Sequence, residues 1–130
     1  MEERKIVVAD PTPLGLFGLA MVTLVASSQK LGITENVSFV LPWAIFLGAS
    51  AQLYASILDA KKNNTFGATA FGAYAFFWYS VGMSWMMQAG FFGQELMNKI
   101  DTKQLGIAFF GYLVFTLFMT IGALATNKVL

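Results

Sequence analysis

The chain has 130 residues, 57% of them hydrophobic, with no His, no Cys and a net charge of +1 at pH 7. So weak a positive charge excludes a nucleic-acid partner, which would need a basic footprint. Without imidazole or thiol the usual base and nucleophile pairs are missing, no carboxylate cluster could hold a metal, and neither enzymatic chemistry nor a cofactor is expected.

Four apolar stretches follow one another, at about 11–29, 38–59, 65–89 and 105–126, each near the roughly 20 residues that a helical membrane crossing needs. Lys30, Lys61, Lys62 and the Glu95–Lys103 cluster fall between them, so every charge sits at an end or in a connector. The runs are continuous rather than alternating, which argues against a β-barrel. No basic region precedes a short apolar core and cleavage site, which argues against a secretory signal. The expectation is an all-α polytopic membrane protein, a single membrane domain over 1–130 with four transmembrane helices.

The first stretch opens with Asp10-Pro11-Thr12-Pro13-Leu14-Gly15-Leu16. Asp10 can accept from free N–H groups at a helix start, and Pro11 suits the first helical position. Pro13 still falls in the first turn, where no hydrogen bond is lost. On the second stretch Ala44, Gly48, Ala51 and Ala55 recur at helical spacing, as do Ala68, Gly72, Ala75 and Gly82 on the third. Small residues let helix backbones approach closely in lipid. The polar loop 60–65 is short enough to force antiparallel neighbours, with Asn64 or Thr65 capping the third helix. The third connector, 90–104, is longer, carries mixed charge and is expected on the outer membrane surface. Met21, Met83, Met86, Met87, Met97 and Met119 read as apolar filler, since thioethers alone make no metal site.

The deep polar residues are all uncharged: Thr23, Gln52, Tyr74, Ser80, Ser84, Thr116 and Thr120. A lone Ser or Thr usually bonds its own helix backbone. Gln52 has two donors and two lone pairs to satisfy, so it is either interhelical glue or a substrate contact. Asp59, beside Lys61 and Lys62, is either a solvated interfacial acid or a proton-sensitive gate. A path without a deep charge suits a small, weakly polar solute or a carboxylate moving with its proton. Helix-start N–H groups can greet an anion without Lys or Arg. Arg4, Lys5, Lys61, Lys62 and Lys128 fall on one side of a four-helix topology, and Lys30, Lys99 and Lys103 on the other. The positive-inside rule then puts both termini in the cytoplasm, and the expected location is the plasma membrane.

These residues resemble the acetate and succinate transporter family of microbes. Asp10 to Leu16 stand where the family has N-P-A-P-L-G-L. Gly48, Ala51 and Gln52 match G-x-x-A-Q, and Asp59 to Gly67 match E-x-K-K-G-N-T-F-G. Phe71, Tyr74, Phe77 and Trp78 continue as F-x-x-Y-G-x-F-W, and Val114 to Met119 are similar again. The resemblance implies a helical bundle assembled as a hexameric homo-oligomer in lipid, with a substrate path through each protomer. It implies passage of acetate foremost, and of succinate in some members. The path is assigned to Asp10, Pro11, Pro13, Leu14, Gly15, Thr23 and Gln52, the constriction to Leu19 and Tyr74, and the gate to Asp59. The chain departs from the family at Asp10 for Asn, Leu19 for Phe, Asp59 for Glu and Ala75 for Gly. The family has six membrane helices, so the last two are expected to be missing here and the chain to be a fragment, a truncated product or a form that needs a companion. The expected function is movement of acetate or a similar small monocarboxylate through a narrow pore, passive or proton-linked. The alternative is a non-transporting membrane scaffold or accessory subunit. Ammonium or water passage ranks lower, because such pores use a His pair or a pore Arg.

Overall fold

The structure is a computed structural model and describes residues 7–126. Arg4, Lys5 and Lys128, which enter the orientation argument, lie outside the described residues. Among those described there are five helices and no strand: α1 (Thr12–Lys30), α2 (Val40–Lys61), α3 (Thr65–Gln88), the short α4 (Gln94–Asn98) and α5 (Thr102–Thr126). The chain divides into two compact units, Met1–Tyr79 and Ser80–Leu130.

α1, α2 and α5 are long and apolar enough to cross a membrane. The sequence suggested four such helices. α3 has the length, at 24 residues, but its Thr, Gly, Ser and Tyr residues lower its mean hydropathy below that of the other three. The connector between α3 and α5 is not all loop, because Gln94–Asn98 forms one helical turn with a Lys99–Glu95 ion pair at 3.2 Å.

In the first unit the buried face of α1 is Pro11, Gly15, Gly18 and Val22, spaced four, three and four residues apart. That is the stripe of a 3.6-residue period. It packs on α2 with almost no side chain between them. A Cβ at Gly18 would collide with the Leu47 carbonyl, and one at Gly48 would lie 2.9 Å from both Val22 and Trp78. Gly15 leaves room for the ring of Phe71, which is 1% exposed. In lipid, close van der Waals contact of this kind replaces the hydrophobic drive that water supplies. A hydrogen bond from Ser56 to the Ala68 carbonyl, 2.6 Å long, ties α2 to α3.

α2 is not a uniform α-helix. Trp43–Ala51 is a nine-residue π-helix between a first turn at Val40–Pro42 and an α-helical second half from Gln52. Pro42 lies in the first turn, where its missing N–H breaks nothing. In the second unit α5 buries only Ala123, and most of its large apolar side chains are exposed.

Candidate functional site

The α1 start is organised by a carboxylate. The helix begins at Thr12, one residue later than the sequence suggested, and Asp10 accepts the Thr12 N–H at 3.0 Å. The Lys62 ammonium lies 3.8 Å from the same oxygen. Thr12, through its N–H and then its hydroxyl, holds the Asp10 carboxyl below the usual carboxylate range, and Lys62 adds to the effect. Asp10, one residue ahead of the N-cap Pro11, is therefore an ionised carboxylate occupied by Thr12 and Lys62 rather than a bare charge facing an incoming anion.

Gln52 sits at the end of the π segment and is fully buried. Its backbone N–H turns to the Ala49 carbonyl, three residues back. Its side-chain Nε2 donates to the Gly48 carbonyl at 2.7 Å, the acceptor that an α-helix would give to the backbone N–H. This bond fixes which way round the amide lies, because Oε1 in that position would face another carbonyl oxygen. Oε1 is left buried with no hydrogen-bond partner. A buried acceptor without a donor is costly and asks for one.

Asp59, 1% exposed, closes the same helix. Neither of its oxygens has a hydrogen-bond partner. It lies against the first turn of α3 at Gly67, where a Cβ would coincide with Oδ2. That turn is capped as the sequence suggested, with Asn64 Oδ1 accepting the Gly67 N–H at 3.1 Å. Asn63 makes the tight turn with a φ of +58°, a conformation Asn tolerates. The short loop thus sets the buried carboxyl near the Asp10–Lys62 pair.

The residues singled out from sequence divide by face. Pro11, Gly15, Gln52 and Asp59 are buried within the first unit. Leu19 and Tyr74 are half-buried. Pro13, Leu14 and Thr23 lie on the exposed side of α1, and the Thr23 hydroxyl donates to its own helix at Leu19 and Ala20. Two residues escaped the sequence reading, Ser50 and Tyr79, whose hydroxyls meet at 2.8 Å between α2 and α3. Their available signal was weak, a Ser two residues before Gln52 and a Tyr in an aromatic run. In the second unit a separate cavity of about 350 Å³ is lined by Ser84, Gln88, Lys99, Thr102 and Leu105, among others, and includes none of the assigned path residues.

Known proteins are similar to this chain over most of its length. It is 37% identical over 123 residues to the succinate-acetate/proton symporter SatP of Escherichia coli strain K12, covering 94% of this chain and 63% of that protein. It is 36% identical over 113 residues to the ammonia transport outward protein 2 of Saccharomyces cerevisiae, covering 83% of this chain and 39% of the yeast protein. The solved structure of the bacterial acetate channel SatP superposes with a TM-score of 0.83 at 36% identity, over 92% of this chain and 64% of that one. The chain thus spans less than two thirds of the length of these relatives. The resemblance read from the motifs holds, and the helices are those of an integral membrane protein. A profile of the GPR1/FUN34/yaaH family matches residues 1–130, and the chain belongs to that family.

Proposed function

We propose that this chain helps to form a narrow membrane path through which acetate, or a similar small monocarboxylate, moves as its protonated acid. The observation that carries the reading is Gln52 Oε1, a buried acceptor whose orientation is fixed and whose donor is missing. A carboxylate offers only lone pairs and would be repelled there. A carboxylic acid offers an O–H, which completes the pairing. Movement of the acid carries one proton with each acetate, which agrees with the proton in the name of the E. coli relative. Succinate, also in that name, would need two protonations to cross the same way.

The other assignments follow as parts of this proposal. Pro11 and Gly15 line the interior side of α1, while Pro13, Leu14 and Thr23 belong to its outer side. Leu19 and Tyr74 form the constriction that limits solute size. Asp59 acts as the proton-sensitive gate, because ionising this buried carboxyl changes what it does to its neighbours Gly67, Asn64 and Lys62. The exposed apolar surface of α5 faces lipid or a neighbouring copy in a homo-oligomer, a hexamer by resemblance. The protein lies in the plasma membrane with the α2–α3 turn, Lys61 and Lys62 on the cytoplasmic side.

The test is uptake of labelled acetate by proteoliposomes across an imposed pH gradient, with protein-free vesicles subtracted. Gln52→Leu, which removes the acceptor and keeps the bulk, should lower uptake about tenfold, the worth of a good hydrogen bond. Unchanged uptake would end the reading. Oε1 would also accept an N–H of ammonia, the solute in the name of the yeast relative. Ammonium that competes with acetate in wild type, and is transported in its place, would move the assignment to that solute.

A further inference from the structure

We infer that Ser50 and Tyr79 are positioning residues that hold the π-helical register of α2 and thereby aim Gln52 inward. This inference rests on the reading of Gln52 as the substrate contact.

Ser50 Oγ is 2.7 Å from the Ile45 carbonyl and 2.8 Å from the Tyr79 hydroxyl. A serine hydroxyl has one proton, and a carbonyl oxygen can only accept. Ser50 therefore donates to Ile45, and Tyr79 donates to Ser50. The result is a directed chain from α3 to a carbonyl five residues back on α2. Ser50 reaches the i−5 carbonyl, which is the spacing of a π-helix and not of an α-helix. A serine that merely satisfied its own α-helix would bond three or four residues back, as Ser84 does to Ser80. The bond from Tyr79 adds a tie to another helix, which local satisfaction does not require.

The register matters because of where it sends Gln52. Val40, Ala44, Gly48 and Gln52 are buried at four-residue steps, and Ala49 and Ala51 are buried beside them. In a regular α-helix the eight residues from Ala44 to Gln52 would rotate the side chain about 80° beyond two full turns. The wider π turns absorb that offset. Beyond Gln52 the buried positions are Ala55 and Asp59, in steps of three and four, as a regular helix gives. The π segment also leaves the Gly48 carbonyl to the Gln52 side chain, because the backbone N–H of Gln52 turns to Ala49. Loss of the register would return that carbonyl to the backbone, free Nε2 and rotate the amide off the interior face.

The test compares Ser50→Ala, Tyr79→Phe, the double variant and Ser50→Thr, all in the reconstituted 130-residue chain. Two readouts are taken, the half-saturation concentration for acetate and the ¹⁵N resonance of the Gln52 side-chain amide, assigned with Gln52→Leu. Ser50→Ala and Tyr79→Phe should each raise the half-saturation concentration about three- to tenfold, the range for one hydrogen bond. The double variant should be no worse than the poorer single one, since the two residues act as one chain. Ser50→Thr, which keeps the hydroxyl, should restore wild-type behaviour to within about twofold. The Gln52 amide resonance should shift in Ser50→Ala and Tyr79→Phe and return in Ser50→Thr. An unmoved resonance in both variants would overturn the inference, even if uptake fell. A shifted resonance together with normal uptake by Gln52→Leu would uphold the positioning and remove the substrate role of Gln52 instead.

Discussion

A Cβ added at Gly18 would run into the Leu47 carbonyl, and one at Gly48 would press on Val22 and Trp78, whereas a Cβ at Gly106 or Gly111 of α5 would meet nothing within 4 Å. The same residue type does different work in the two units. In the first it admits a neighbouring backbone. In the second it is an open notch on an exposed helix. Hydropathy runs the other way, since α5 is the most apolar of the three candidate spans and the least buried. In a membrane protein the most apolar surface belongs against lipid or a second chain, and the interior can hold Gln and Asp among small residues.

Gly18→Val should destabilise the protein by about 2–3 kcal/mol in detergent unfolding, because backbone blocks the new methyls and overpacking of this size is not relieved. Gly106→Val should stay within about 0.5 kcal/mol. Equal losses would mean that α5 is packed as tightly as α1.

The next largest effect concerns size. Tyr74→Ala should raise the ratio of propionate to acetate uptake by about tenfold, since one methylene in a tight apolar site is worth that much. Unchanged selectivity would place the constriction elsewhere. Asp59→Asn preserves the shape against Gly67 and removes the titration. It should flatten the pH dependence of acetate uptake while leaving the maximal rate within about threefold, one weak hydrogen bond in size. A pH profile identical to wild type would remove the gate.

Asp10 should have the smallest effect, because it is exposed and its ion pair with Lys62 is long. Its folded carboxyl titrates below the usual range, so its contacts contribute fully above the unfolded value and fade as pH falls through the folded one. Asp10→Asn should remove that acid-side fading of thermal stability and change acetate uptake less than about twofold. A large gain in uptake would mean that the carboxylate repels the solute after all.

How much of this was legible follows from what each signal measures. The apolar runs fixed the helices because lipid demands length and continuity. Gln52 stood out because a buried primary amide is costly wherever it lies, and Asn64 because its side chain suits a helix start. The π segment was not read. Its trace was the four-residue spacing of Val40, Ala44, Gly48 and Gln52, in which each single step passes for ordinary helical spacing. The Ser50–Tyr79 bond joins residues 29 apart and has no local pattern at all. Thr23 entered the path as a deep hydroxyl, yet the face of α1 is set by Gly15, Gly18 and Val22, and Thr23 follows on the other side. α3 read as a membrane span because its run is unbroken, though its small and hydroxyl residues make it less apolar than α1, α2 and α5.

The most direct measurement is the simultaneous recording of acetate and proton flux in proteoliposomes with the membrane potential clamped, counting only the flux that Gln52→Leu removes. Passage as the acid gives one proton per acetate and a rate that does not respond to the potential. An acetate flux that carries charge, without its proton, would contradict it.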